Sequence, residues 1–300
     1  MKIAVILTCF NRKDKTLNCL KSLFQSLNIY NHKKEEKIEL FIYLTDDGCT
    51  DGTRSAVTNN FSGKDIIILQ GTGDLFWAGG MRYAWNEALK RQNEWDFYLL
   101  LNDDVDLLDN LFDELLSTHK YCVDNYKKSG IYSGITSSKT DHNKMTYGGS
   151  VWKNRFLGLP TRLQPIGVPQ LCDTTHANIL LVAKEVVDKI GIFYDGYHHG
   201  CADYDYSITA RKKDIPVLLT ASFCGRCEDD HYSAIDVEKM VKNMSLSERK
   251  KFFSSPIHSN KDYLKYIRRN IPFKYPFVYI GRFLNETFPK FYYCISHLVR

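Results

Sequence analysis

Short apolar runs bounded by polar loops recur along the chain, at residues 3–7, 38–44, 66–69 and 97–101. Runs of strand length without a polar face mark strands buried on both sides. Between the first two, Leu17, Leu20, Phe24 and Leu27 recur at helical spacing, with Asn11 or Asp14 available as cap. Further helices are expected over 80–91 and 107–126. Beyond them the pattern shortens: strands at 131–136 and 146–152, an irregular Pro- and Gly-rich stretch at 154–172, a buried strand at 178–183, a short helix at 184–190, a helix ending at Arg211 and a last strand at 216–221. Strands alternating with helices at this spacing predict an α/β fold with a doubly wound, mostly parallel sheet and right-handed crossovers. No internal repeat interrupts the pattern, and residues 1–255 read as one domain.

The run at 97–101 ends abruptly in Asn102-Asp103-Asp104-Val105-Asp106. In open parallel sheets ligands sit beyond the carboxyl ends of the strands. Acidic side chains this close repel one another, so the cluster suits a hard divalent cation or, equally, a cap for the helix that follows. The first two strands end on the same edge, in Thr8-Cys9-Phe10-Asn11-Arg12 and in Asp46-Asp47-Gly48-Cys49-Thr50-Asp51-Gly52. A carboxylate at a strand end can accept from a ribose hydroxyl or a base N–H, although turns rich in Asp and Gly are common. No Gly-x-Gly-x-x-Gly or Walker loop follows the first strand, so a diphosphate would need a metal instead.

Two further stretches bear chemistry. Residues 71–82 form a glycine-bracketed segment in which Trp77 suits a sugar or base, or packs on its own loop, and Arg82 suits a phosphate. Asp203 and Asp205 open a helix after a His-containing loop, where one caps and the other can act as general base. Cys224-Gly225-Arg226-Cys227, with His231 beyond it, invites a zinc reading, but a lone C-x-x-C fits two cysteines flanking a strand end better.

Taken in order, the 8–12 and 46–53 segments, Ala78-Gly79-Gly80, Leu101-Asn102-Asp103-Asp104, and the 200–206 segment with Arg211 resemble the motifs of family 2 glycosyltransferases of the GT-A fold. Within that family the chain is similar to bacterial rhamnosyl-, galactosyl- and galactofuranosyltransferases of surface-polysaccharide synthesis, such as O-antigen or capsule. The resemblance spans roughly the first 230 residues. It implies a Rossmann-like nucleotide-binding half joined to an acceptor half. It also implies inverting transfer from a UDP- or dTDP-linked sugar to a hydroxyl of a glycan acceptor, expected to be lipid-linked. Residue by residue it assigns Asp46 to base and ribose, with Asp47 beside it. Thr8, Phe10, Asn11, Arg12, Trp77, Gly79, Gly80, Arg82, Asn102 and Asp103 fall to the donor pocket, and Asp203 is the catalytic base. Asp104, with His231 as candidate, would hold Mn2+ or Mg2+. Asn102 stands where an Asp is usual and Ala202 where a Glu is often found. A sugar nucleotidyltransferase, which normally carries a Gly-rich basic loop after its first strand, and an inactive donor-binding scaffold are the rival readings.

Composition adds a contrast between the two ends of the chain. Of a net charge of +5, residues 257–300 carry eight Lys/Arg against Asp262 and Glu286, so the rest is slightly negative. That imbalance argues against nucleic acid as a partner. The 256–300 tail combines these charges with abundant aromatics, a pattern for helices lying on an anionic inner leaflet, docking on their own domain or forming a dimer contact. Nine cysteines without a framework fit reduced thiols in a cytoplasm. No apolar run reaches the roughly 18 residues that span a bilayer.

Overall fold

The computed structural model describes residues 1–154, 158–229, 233–258 and 260–298. Its main sheet is built from Lys2–Cys9 (β1), Glu39–Asp46 (β2), Ile66–Gln70 (β3), Phe97–Leu101 (β4), Ile131–Ser137 (β5), Ile179–Ala183 (β6) and Val217–Arg226 (β7). They lie in the order β3-β2-β1-β4-β6-β5-β7, with Gln170–Leu171 on the outer edge of β7. β1 pairs in parallel with β2 and β4, and β2 with β3. The register sets Cys9 level with Asp46, so these strands end together. Every side chain of β4 and β6 is buried, as continuous apolar runs require.

Six of the seven strands run the same way, as expected, and one reversed strand makes the sheet mixed. β6 runs antiparallel between β4 and β5, while β7 is again parallel to β5. A fully apolar run carries no sign of its direction, which is why the pattern alone missed this. The strand expected at 146–152 divides at Gly148. Met145–Tyr147 pairs with β5, whereas Gly149–Asn154 joins Leu159–Arg162 and Thr174–Thr175 in a small second sheet.

Lys13–Lys33 (α1), Thr53–Asn60 (α2) and Leu111–Tyr126 (α4) pack as one layer, and Phe76–Leu89 (α3) lies against β1 and β2. α4 starts later than expected because Asp106–Leu107 is taken up pairing with the end of β7. Lys184–Ile190 (α5) and Ala202–Lys212 (α6) follow β6, and Trp85 of α3 meets Tyr206 of α6 at 5.6 Å between ring centroids. Trp85 and Tyr98 are wholly buried, each ring stabilising the fold by about 1.5–3 kcal/mol.

The remaining helices are Ala234–Asn243 (α7), Leu246–Ser254 (α8), Asn260–Asn270 (α9), Tyr275–Thr287 (α10) and Pro289–Leu298 (α11). Ser245 and Glu248 form a capping box at the start of α8. Tyr266 and Ile267 of α9, with Ile271, join the main core, so the tail begins as a docked segment.

Candidate active site

The level ends of β1, β2 and β4 gather the predicted acidic residues at one edge. Asp51 fastens this edge: it accepts from the Lys13 N–H of α1 at 2.8 Å and the Thr53 N–H of α2 at 3.0 Å, capping both helices. Asn11, at φ +50°, turns its Oδ1 to the Thr50 N–H at 2.7 Å. Phe10 beside it is more than half exposed. The thiols of Cys9 and Cys49 lie 3.8 Å apart beneath this loop.

The first aspartate pair is largely occupied. Asp46 accepts from the Cys49 N–H at 2.7 Å and the Arg54 Nε–H at 3.2 Å, and is almost fully buried. A carboxylate offers about four lone-pair positions, so Asp46 retains capacity for a ligand donor. Asp47 accepts from three backbone N–H groups, of Gly73, Leu75 and Phe76, at 2.8–3.0 Å. It therefore holds the 73–76 turn and caps α3.

The glycine-bracketed segment is half helix. α3 starts at Phe76, four residues before the expected start, and so contains Trp77, Gly79, Gly80 and Arg82. Gly80 is a packing position: a Cβ there would stand 2.2 Å from Thr8 Oγ1, so only glycine lets α3 close on β1. The N–H groups of Ala78 and Gly79 donate to the His198 carbonyl at 3.1 and 3.3 Å. Arg82 donates to the carbonyls of Tyr197 at 2.7 Å and Tyr194 at 3.3 Å, and thus braces the 194–200 loop where a phosphate contact was expected.

After β4, Trp77 donates its indole N–H to Asn102 Oδ1 at 2.7 Å. The amide in the place of a usual Asp thus fixes the indole. Arg12 donates to Asp104 Oδ2 at 2.9 Å and Asp103 Oδ1 at 3.3 Å, and Thr16 Oγ1 donates to Asp103 Oδ2 at 3.1 Å. Burial pushes the Asp103 carboxyl up to about 6, against the pull of Arg12. Asp104 stays partly open, with the Cys227 thiol 3.7 Å from its Oδ1. Cys224 instead lies wholly buried with its thiol toward Thr220, so the two cysteines face different partners.

No group of three His, Cys, Asp or Glu able to hold a metal ion occurs among the described residues. His231 lies outside them. Asp103 is buried with both oxygens bonded, so Asp104 Oδ1, which meets only the Cys227 thiol, is the oxygen that could take a magnesium-type ion whose shell substrate phosphates complete.

Asp203 stands at the opening of α6, after Cys201 at φ +67°. Its Oδ1 accepts from the Tyr204 N–H at 2.9 Å and its Oδ2 from the Ala177 N–H at 3.2 Å. The next residue, Asn178, accepts at its carbonyl from the Asn102 N–H at 3.1 Å, which ties Asp203 to the Asn102–Asp104 edge. Burial raises the Asp203 carboxyl above the usual carboxylate range, while His176 and the two N–H groups pull it back. His176 in turn meets the Tyr204 hydroxyl at 2.7 Å. Asp205, the alternative base, is buried and accepts a fork from Arg269 at 3.1 and 3.2 Å plus a bond from Asn270 at 2.6 Å.

Sequence reasoning did not assign Asp262, whose carboxylate accepts from the N–H groups of His198, His199 and Gly200 at 2.8–3.1 Å. Its one signal was being one of two acids in a basic tail. His176 and Ala177, which support Asp203, gave no signal at all.

No family model and no curated protein matches the chain by sequence. Solved structures do match. S. aureus TarS 1-349 superposes with a TM-score of 0.53 at 12% identity, over 97% of this chain and 82% of that one. The same protein in complex with UDP-GlcNAc matches with a TM-score of 0.51 at 13% identity, over 91% and 73%. Its UDP complex gives 0.51 at 13%, over 90% and 71%. The chain has the TarS fold.

Proposed function

We propose that the chain is an inverting glycosyltransferase of the family 2 type. It moves a sugar from a nucleotide diphosphate sugar, UDP- or dTDP-linked, to a hydroxyl of a glycan acceptor, lipid-linked and met at a membrane surface. The observation carrying this reading is the meeting of three acidic segments, ending at Asp46, at Asp103 and Asp104, and at Asp203, through Asn11, Arg12 and Asn178. The shared fold with a protein that binds UDP and UDP-GlcNAc supports a donor of that class.

In this reading Asp46 holds the nucleoside. Trp77, steadied by Asn102, lies along the sugar. The acceptor oxygen attacks the anomeric carbon, the bond to the diphosphate breaks with its electron pair leaving on the nucleotide, and the hydroxyl proton passes to Asp203. A carboxyl raised by burial is the stronger base, and such a group contributes about 10² to 10⁴ in rate. Arg12 faces the charge that develops on the leaving diphosphate. Mn2+ or Mg2+ held at Asp104 would offset that charge further.

The test is release of nucleoside diphosphate from a panel of UDP-, dTDP- and GDP-sugars, with and without manganese. Turnover of one donor is expected. Pyrophosphate made from a nucleoside triphosphate and a sugar phosphate would instead identify a nucleotidyltransferase, and donor binding without turnover would identify a scaffold.

A further inference from the structure

The C-terminal helices enclose a cavity of about 550 Å³, lined by Phe252, Tyr263, Phe277 and Tyr292 together with Arg282 and Asn285. Val237, Val278 and His258 complete a mostly apolar wall in which Arg282 is the one formal charge. The Arg282 guanidinium lies 4.7 Å above the Tyr263 ring and forms no ion pair among the described residues. Of the acids of the neighbouring elements, Asp205 is spent on Arg269 and Asp262 on backbone N–H groups. Asn285 Oδ1 is buried and has no hydrogen-bond partner among the described residues. A partly buried cation without a counter-charge is costly, and a ring face offsets only part of the cost.

The mouth of the cavity is as telling as its floor. Phe277 lines it and is also 76% exposed, while the face of α10 away from the cavity exposes Tyr279, Ile280 and Phe283. An apolar cavity that holds a lone arginine and opens at an exposed ring matches an amphiphile with an anionic head and a hydrocarbon body. The surplus of basic residues in this segment has the same sign.

We propose that the cavity among α7–α11 is a binding site for an anionic phospholipid, its phosphate paired with Arg282 and its chains against the aromatic wall and rim. A membrane contact that a charged surface alone would make diffuse thereby becomes a contact with a seat. Tyr263 stacks on Tyr266, and Tyr266 meets Tyr204 beside Asp203, so the lipid would sit next to the candidate active site. Binding is measured without donor or acceptor, so its outcome is independent of the transfer reading.

The test is calorimetry of the full chain with dihexanoylphosphatidylglycerol below its micellar concentration, with glycerol 3-phosphate and dihexanoylphosphatidylcholine as the other arms. The anionic lipid should bind, and the other two should bind at least tenfold more weakly. Arg282→Gln should lose at least tenfold. Gly281→Leu should do the same without changing charge, because a side chain at Gly281 starts 3.5 Å from Tyr292 and grows into the cavity. Arg268→Gln, which removes an exposed charge from α9, should stay within threefold. The proposal is overturned if the lipid does not bind, if glycerol 3-phosphate binds as well, or if Arg268→Gln loses as much as Arg282→Gln. It is equally overturned if Gly281→Leu has no effect, or if Phe277→Ser breaks a dimer in a chain that ignores lipid.

Discussion

At the aspartate edge of the sheet nearly every carboxylate oxygen has a donor, whereas in the C-terminal helices the Arg282 guanidinium lies against an aromatic ring and forms no ion pair among the described residues. Both regions are rich in charge, so charge alone does not separate scaffold from site. Asp46, Asp47, Asp103 and Asp205 are buried and bonded; of the partly exposed aspartates at this edge, Asp51 caps α1 and α2 and Asp106 pairs with Lys139 at 2.8 Å, which leaves Asp104 and Asp203. Satisfied groups hold the chain in place; the groups left partly open mark where a ligand completes the set.

The contrast can be broken most sharply at Asp203. Asp203→Asn should lower turnover by about 10² to 10⁴ while Tm falls by no more than a degree or so. The folded carboxyl is raised, so the folded protein holds its proton more tightly than the unfolded chain does. Ionised Asp203 therefore costs stability at neutral pH, and the cost disappears as pH falls through its folded value. The acid limb of the rate profile should accordingly lie above the ordinary carboxylate range. A profile flat down to the range of a free Asp would remove Asp203 as the base.

Asp205 should behave in the opposite way. Arg269→Ala leaves a buried carboxylate without its counter-charge and should cost about 3 kcal/mol by denaturant unfolding. A loss below about 0.5 kcal/mol would mean that α9 is not held by this pair. Gly80→Ala should cost about 1–3 kcal/mol, because the new Cβ meets Thr8 Oγ1 at 2.2 Å. The smallest effect belongs to the tail. Phe283→Ser, at a ring 56% exposed, should change stability by no more than about 0.5 kcal/mol and still reduce sedimentation with anionic vesicles.

Much of this was legible in the residues. β4 occupies the expected 97–101, since an apolar run closed by Asn102 and Asp103 admits little else. The shared edge of β1, β2 and β4 followed from their alternation with helices. The direction of β6 did not, because its five buried residues carry no polarity along the strand. Gly79 looked like loop before a helix opening at Gly80, since glycine is a turn signal; both lie inside α3, where the missing side chain of Gly80 serves packing on Thr8. Which aspartate of a pair is open depends on donors brought from afar, such as Leu75 to Asp47 and Arg269 to Asp205. Local spacing contains none of that.

The decisive measurement is calorimetric titration of UDP, dTDP and GDP into the wild type, Asp46→Asn and Asp203→Asn. One nucleotide should bind the wild type and Asp203→Asn within threefold of each other, and Asp46→Asn at least tenfold more weakly. Binding of none of the three, or equal binding by all three proteins, would contradict a nucleotide-sugar site at the aspartate edge.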